Sequence, residues 1–239
     1  MQPLPDLRMF EDIRAMVRWA VARGDLDHSP IDGLRGPAIS KPRTRVLTDN
    51  EIKFVWHKLY ELRSDVGRVV RFCLVTGQRL GEVVGLTPNE LDLPNAVWNI
   101  PAERSKNGHP HTVPLTPIAL SIIDECRDER RSSLLGSDGN PDGLFGVSRN
   151  VVSDIIWRYG QPLRGTSHVQ RWHAHDLRRT ALTGMARLGI SPIVIANVAN
   201  HRSVSKAGVT LGVYIQHDYS DEKRDALTRW SERLQTIVQ

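Results

Sequence analysis

Apolar side chains recur every three to four residues along most of this 239-residue chain, a spacing that predicts helices. The clearest case follows a capping box, Thr48-Asp49-Asn50-Glu51, because the residues after it continue one apolar face: Ile52, Val55, Trp56, Leu59 and Leu62. The same pattern predicts further helices over 9–23, 65–75, 79–88, 117–131, 148–160, 176–188 and 192–199, and a last one from about 221.

Two short stretches break the helical pattern and predict strands, 96–101 and 111–115. The segment between them contains Asn107-Gly108, a strong signal for a tight turn. Lys106 is therefore predicted next to the tip of a β-hairpin. The fold class that follows is mainly α with a small antiparallel β-sheet, an α+β fold.

The opening helix is separated from the rest by residues 31–45, which are rich in proline and glycine and predict a linker. An isolated helix cannot bury its own apolar face, so the helix within 1–30 either packs on the main body or belongs to a domain that is mostly absent from this chain. Residues 46–239 are expected to form the main body.

Charge is concentrated in one part of the chain. The net charge is +5, and the segment from Arg171 to Lys206 has six cations against one acid, Asp176, so it accounts for the whole excess. Such a local positive field suits nucleic acid. No apolar run is long enough for a membrane span, and the first thirty residues are too charged for a signal peptide, so we expect a soluble cytoplasmic protein. Cys73 and Cys126 lie within apolar patterns and predict buried thiols.

Candidate chemistry lies in three stretches: TGQRLGEVVGL (76–86), HDLRRT (175–180) and ANH (199–201). Two guanidinium groups, from Arg79 and Arg178, could hold the non-bridging oxygens of a phosphodiester. His175 lies one helical turn before Arg178, so both can face one site. A tyrosine phenol becomes a nucleophile only where a positive site or a base removes its proton, and such a site would supply both.

Over residues 46–239 the chain resembles the tyrosine recombinase (phage integrase) family. Six positions carry the resemblance in the expected order: Arg79 with Glu82 nearby, Lys106 on the hairpin, His175 and Arg178 in the His-x-x-Arg motif, His201 in ANH, and Tyr214. Tyr214 follows His201 by thirteen residues, more than in many members. The resemblance also implies that 1–30 is the last helix of a core-binding domain.

The resemblance implies site-specific DNA strand exchange without a metal or nucleotide cofactor. In that reaction Tyr214 attacks the scissile phosphate, leaving a 3′-phosphotyrosine, while Arg79 and Arg178 clamp the phosphate. Lys106 is then the general acid for the 5′ oxygen. The family further implies that His175 exchanges a proton with the tyrosine and that His201 donates a hydrogen bond to a phosphate oxygen.

The partners implied by the resemblance are double-stranded DNA and other copies of the chain, as a tetramer on synapsed DNA. Accessory DNA-bending proteins and association with the nucleoid are also expected. A membrane is not expected among the partners. The last helix, with Leu227, Trp230 and Leu234 on one face, could dock on its own body or on a neighbouring protomer.

Other interpretations of the same residues remain open. Tyr219 competes with Tyr214 as the nucleophile, although the family pattern favours Tyr214. Arg79 could simply pair with Glu82, and Arg178 with Arg179 could form a solvated face. Five other histidines are expected at the surface or in linkers: His109, His111, His168, His173 and His217.

Three other functions also fit parts of the pattern. A metal-dependent nuclease would use His173, His175, His201 and His217, but only one acid, Asp176, lies between 171 and 206. A non-catalytic DNA-binding protein would share the basic surface, and a type IB topoisomerase would share the chemistry.

Overall fold

The computed structural model describes residues 7–37, 44–132, 142–159, 171–201 and 217–239. The chain divides into two compact units, 1–44 and 45–239. In the first unit, α1 spans Leu7–Arg23 and ends at Gly24, whose φ of +81° a glycine adopts without strain. Val17 is buried in this unit, whereas Met16 and Trp19 are exposed.

The second unit contains the remaining elements. Its helices are α2 Asp49–Leu62, α3 Ser64–Thr76, α4 Leu80–Val84, α5 Pro117–Ser132, α6 Arg149–Tyr159, α7 Ala174–Arg187, α8 Pro192–Val198 and α9 Ser220–Val238, and its strands are β1 Leu91–Asp92, β2 Val97–Ile100 and β3 His111–Pro114. A short 3-10 helix, Pro88–Glu90, leads into β1. Within the described residues no helix is both long and apolar enough to cross a membrane.

Helix α3 forms the centre of the core, since nearly every residue from Val66 to Thr76 is buried, and α2, α5, α7 and α9 all pack against it. The approach of α2 depends on Gly67, because a Cβ atom there would lie 2.4 Å from the Tyr60 Cα atom. Gly77 ends α3 with φ +65°. The end of this buried helix thus points into the region of the motif residues.

The sheet has three antiparallel strands in the order β1-β2-β3. In the β2–β3 pair Ile100 lies opposite His111, and Trp98, on the buried face, packs its ring 5.7 Å from that of Phe72. The sequence predicted β2 and β3 but not β1. A two-residue strand has no periodicity of its own, so only its pairing with β2 defines it.

Helix α9 packs on the body of its own chain. The Trp230 indole Nε1–H donates to the Leu74 carbonyl (2.8 Å), and the Lys223 ammonium donates to the Thr112 carbonyl (3.0 Å). Gly184 in α7 makes room for the indole, because a Cβ atom there would lie 2.1 Å from the Trp230 ring. In this chain, therefore, the apolar face of the last helix is buried in cis.

The predicted fold class is confirmed, as are the capping box at Thr48 and the buried thiols of Cys73 and Cys126. Two details of the helices predicted from the sequence were wrong. Helix α4 ends at Val84 rather than near Pro88, since the chain turns at Gly85, where the Arg104 guanidinium occupies the place that a Cβ atom would take. Leu62 is 42% exposed because α2 ends there. Most of the predicted loop at 136–143 lies outside the described residues.

Candidate active site

Arg178 lies at the centre of the candidate site, held by the ends of two helices. Its side chain is 1% exposed, and its guanidinium donates to the carbonyls of Gly77 (2.9 Å) and Ala199. These residues are the C-caps of α3 and α8, where unpaired carbonyls and the negative end of the helix dipole favour a cation. The two helix ends therefore stabilise a buried positive charge in place of a carboxylate.

Burial, together with the positive charge of Arg79, lowers the pKa of Arg178 to about 10, while the charge of Glu82 acts in the opposite direction. The group nevertheless stays protonated at neutral pH. Two hydrogen bonds use two of the five N–H donors of a guanidinium, so the others remain to bind an anion. Arg178 can thus hold the ends of α3 and α8 and bind a phosphate at the same time.

Arg79 is positioned by Glu82 at the start of α4. The Glu82 carboxylate accepts from the Arg79 backbone N–H (3.1 Å) and from its guanidinium Nη1 (2.8 Å). The pairing with Glu82 considered from the sequence is therefore present. It uses one end of the guanidinium fork and fixes the side chain, which is compatible with phosphate binding by the remaining donors.

His175, in the first turn of α7, and His201, after α8, share the same electrostatic environment. Desolvation lowers the pKa of His175, and the positive charges of Arg179, Arg178 and Arg79 lower it further. Desolvation also lowers the pKa of His201, with contributions from Arg178, Arg79 and His175. Both imidazoles are therefore neutral at neutral pH, and each has one N–H donor and one acceptor nitrogen.

The segment that leads to His201 is held through its backbone carbonyls. The Val198 carbonyl accepts from Gln78 Nε2 (2.9 Å) and interacts with His111 Nε2 (3.1 Å), while Ala199 accepts from Arg178. His111 is 8% exposed, so the prediction of a surface or linker histidine was wrong. It lies inside because β3 directs it toward the end of α8. We call Val198–Asn200 and its donors the carbonyl clamp.

Lys106 lies in the loop between β2 and β3, as predicted, at the second position of a turn closed by the Gly108 N–H bond to the Ser105 carbonyl (2.9 Å). Its neighbour Asn107 donates through Nδ2 to the Asn200 carbonyl. Asn200 in turn donates from its Nδ2 to Ser105 Oγ (3.0 Å). The hairpin turn is thereby tied to the residue that precedes His201.

The structure brings together four of the six predicted site residues, Arg79, Arg178, His175 and His201, and ties the turn that carries Lys106 to the same cluster. The alternative in which Arg178 belongs to a solvated face was wrong, since Arg178 is buried between two helix ends. The sixth, Tyr214, lies outside the described residues.

Tyr219, the competing candidate, is the N-cap residue of α9 and has φ +54°. Its ring stacks on that of His217, with centroids 4.7 Å apart, and His217 also contacts Glu222 (3.0 Å). Tyr219 therefore lies at the polar start of the last helix. These contacts give Tyr219 a local role in starting α9.

Two of the four histidines of the metal alternative make aromatic contacts of their own, apart from the cluster of His175 and His201. His173 stacks on Trp157, and His217 stacks on Tyr219. Among the residues that the structure describes, no group of three or more histidine, cysteine, aspartate or glutamate side chains could hold a metal ion.

Sequence reasoning missed Gln78, Asn107, His111 and Asn200. Gln78 and Asn107 directly adjoin Arg79 and Lys106, and Asn200 adjoins His201. For these three residues, the position next to a motif residue was the available signal of a role in the site. Because their partners are backbone carbonyls or residues far along the chain, no spacing rule reveals these contacts.

The model of the phage integrase family matches residues 45–220, about three quarters of the chain. The chain belongs to the phage integrase family. Among curated relatives, the shufflon-specific DNA recombinase of Escherichia coli is 28% identical over 193 residues, which are 80% of this chain and 45% of that protein. The chain therefore spans about half the length of that recombinase.

Solved structures of family members share the fold. A lambda integrase (75–356) dimer bound to a COC′ core site matches 79% of this chain and 68% of that chain, with a TM-score of 0.59 and 20% identity. A lambda integrase tetramer bound to a Holliday junction matches 77% and 54%, with a TM-score of 0.57 and 20% identity. This likeness extends the family assignment to the three-dimensional fold.

Proposed function

We propose that this chain is the catalytic part of a site-specific DNA recombinase that cleaves and rejoins DNA through a 3′-phosphotyrosine intermediate, without a metal or nucleotide cofactor. The observation that carries the proposal is the cluster of Arg79, Arg178, His175 and His201 in a member of the phage integrase family. Two arginines and two neutral histidines around one point form a site for a phosphodiester.

Phosphate binding is assigned to the two arginines. A pentacoordinate transition state has more negative charge on its non-bridging oxygens than the ground state does. Arg79 and Arg178 each retain donors beyond those bound to Glu82 and to the helix ends. Because these contacts hold both guanidinium groups before DNA binds, little reorganisation is needed when the charge develops.

Proton transfers are assigned to His175 and Lys106. A neutral His175 can accept the phenolic proton as Tyr214 attacks phosphorus. The Lys106 ammonium gives a proton to the departing 5′ oxygen, and a neutral His201 retains an N–H donor for a phosphate oxygen. The 5′-hydroxyl of a partner strand then reverses the same steps, so bond energy is conserved in the phosphotyrosine.

The proposed partners are double-stranded DNA and further copies of the chain. The lambda integrase tetramer on a Holliday junction supports a tetramer on synapsed DNA as the working assembly. Accessory DNA-bending proteins and a nucleoid-associated, cytoplasmic location are also part of this proposal. Both follow from the proposed reaction, because its substrate is DNA.

We propose the following domain organisation: residues 1–30 contribute the last helix of a core-binding domain, 31–45 form a linker, and 46–239 form the catalytic domain. The division of the chain after residue 44 supports this arrangement. So do the exposed Met9, Met16 and Trp19 on α1, which are apolar side chains suited to packing against other helices.

The deciding experiment is covalent capture. The protein is incubated in EDTA with nicked suicide DNA from the junctions of its own element, and the products are separated on a denaturing gel. The parent is compared with Tyr214→Phe and Tyr219→Phe. A DNA-linked band that Tyr214→Phe alone abolishes is the expected result.

Other outcomes would contradict parts of the proposal. Loss of the band only in Tyr219→Phe would move the nucleophile to the start of α9. A parent protein that binds the DNA but gives no band, even with its upstream domain supplied, would favour a non-catalytic binder. Relaxation of a supercoiled plasmid that lacks the recombination site would favour topoisomerase activity.

A further inference from the structure

The turn that carries Lys106 is joined to the His201 segment by a reciprocal pair of side-chain hydrogen bonds. Asn107 Nδ2 donates to the Asn200 carbonyl, and Asn200 Nδ2 donates to Ser105 Oγ (3.0 Å). In the sequence, Lys106 lies between Ser105 and Asn107, one of which takes part in each bond. We call Ser105, Asn107 and Asn200 the turn latch.

The Lys106 ammonium itself has no hydrogen bond or ion pair among the described residues, and its side chain is exposed. Its position is therefore set by the backbone of the turn rather than by contacts of its own. The turn is closed locally by the Gly108 N–H bond to Ser105, and Ser105 is buried. The only described side-chain bonds from residues 105–108 to the rest of the site are those of the latch.

The other half of the latch is equally specific. Asn200 has φ +48°, in the left-handed region that asparagine tolerates better than other residues with a side chain. This conformation directs its amide toward Ser105 while its carbonyl accepts from Asn107. The next residue, His201, has a backbone hydrogen bond of its own, from its N–H to the Ala196 carbonyl (2.8 Å), which does not depend on the latch. The latch joins two elements of the site that are 93 residues apart in the chain.

We propose that Ser105, Asn107 and Asn200 are positioning residues that hold Lys106 at the 5′ oxygen of the scissile phosphate. This inference rests on the proposed function. In the step concerned, the Tyr214 Oη–phosphorus bond forms and the phosphorus–O5′ bond breaks. The phenolic proton passes to His175, and a proton from the Lys106 ammonium passes to O5′. The latch acts on the last of these transfers only.

The expected size of the effect follows from that role. General acid catalysis contributes roughly 10²–10⁴-fold to a rate, and a displacement of about 1 Å can cost about 10²-fold. We therefore expect Asn107→Ala to slow single-turnover cleavage of ordinary DNA by about 10- to 100-fold. Lys106→Ala, which removes the acid itself, should be at least as slow.

The test replaces the leaving oxygen by sulfur. In DNA with a 5′-bridging phosphorothiolate at the scissile position, the leaving group is a thiolate, and because a thiol has a pKa of about 8.5 it departs without a proton. A variant whose only defect is a misplaced acid should therefore recover on the sulfur substrate. A variant with a damaged phosphate site or nucleophile should stay slow.

Five proteins are compared on both substrates by single-turnover cleavage: the parent, Lys106→Ala, Asn107→Ala, Asn200→Gly and Asn99→Ala. Asn200→Gly removes the latch amide but keeps a residue that adopts φ +48° without strain. Asn99→Ala is the matched control, because Asn99 also makes one side-chain bond within this hairpin, to Thr112 (3.1 Å), but none to the latch.

We expect Lys106→Ala, Asn107→Ala and Asn200→Gly to be slow on oxygen DNA and within about threefold of the parent on sulfur DNA. Asn99→Ala should match the parent on both. Thermal melts followed by circular dichroism establish that each variant is folded, and Asn107→Asp, which replaces the donating amide by an acceptor of the same shape, provides a second variant.

The outcomes separate this inference from the proposed function. If Lys106→Ala recovers on sulfur while the folded Asn107→Ala and Asn200→Gly do not, the latch proposal is wrong and the role of Lys106 stands. Parent-like rates of the latch variants on oxygen DNA would also overturn it. If Lys106→Ala stays slow on sulfur, its assignment as the acid fails and the latch proposal fails with it.

Discussion

Acidification should destabilise this protein through His111, the histidine of the carbonyl clamp. Burial and the positive charges of Lys223, Arg178 and Arg79 together lower the pKa of His111 to about 3, although the hydrogen bond to the Val198 carbonyl acts in the opposite direction. In the unfolded chain the ordinary value of about 6.5 applies. Between these two values the unfolded chain binds a proton that the folded protein does not.

The sign and the magnitude follow from that difference. A depressed folded-state pKa contributes to the free energy of unfolding above about pH 6.5, and the contribution is lost as pH falls toward 3. Each pKa unit corresponds to about 1.4 kcal/mol, so the loss between pH 7 and pH 5 is about 2 kcal/mol from His111 alone. His175 and His201 add losses of the same sign.

The comparison that isolates His111 uses His111→Gln. Its side-chain amide can still donate to the Val198 carbonyl, but it does not titrate. Urea unfolding of both proteins, followed by the fluorescence of the six tryptophans, gives the free energy of unfolding at pH 7 and at pH 5. The parent should lose about 2 kcal/mol more than the variant. Equal losses in the two proteins would refute the reasoning.

Three further predictions concern the fold and the DNA-binding surface. Arg178→Ala should abolish cleavage and also lower the free energy of unfolding by about 2–4 kcal/mol, measured by urea unfolding, because two buried carbonyls lose a charged donor; unchanged stability would contradict the two-helix contact. Gly184→Ala should lower the melting temperature, because the added methyl group overpacks against Trp230 at a cost of about 1–3 kcal/mol. Gly81→Ala is the control and should not lower it, since a Cβ atom there meets nothing within 4 Å. Equal melting temperatures for the two variants would count against this packing. DNA affinity, measured by fluorescence anisotropy, should fall steeply between low and high salt, and a flat response would argue against a phosphate-dominated interface.

Features set by neighbouring residues were predictable from the sequence. The Thr48 capping box and the Asn107-Gly108 turn each depend on atoms within a few residues, and each lies where predicted. Strand β1 was missed because two residues become a strand only by pairing with β2.

The site shows the same division. The order of the motifs indicated that Arg79, His175, Arg178 and His201 belong together, and they do lie in one cluster. Their environments were not predictable. The bond from Arg178 to Gly77 joins residues 101 apart, and its acceptor is a backbone atom that every residue type provides. No pattern of side chains could have indicated that contact.

The contact of Arg178 with the ends of α3 and α8 has a consequence for how this protein can change. Catalytic groups usually reduce stability, so variants that lose them often gain it. Here the same guanidinium caps the C-terminal ends of two helices and, in the proposed reaction, binds the scissile phosphate. Lysine offers a point charge without a planar fork and cannot serve both. Selection for thermal stability and selection for activity should therefore retain the same residue, so at this position the usual trade-off between stability and activity should be absent.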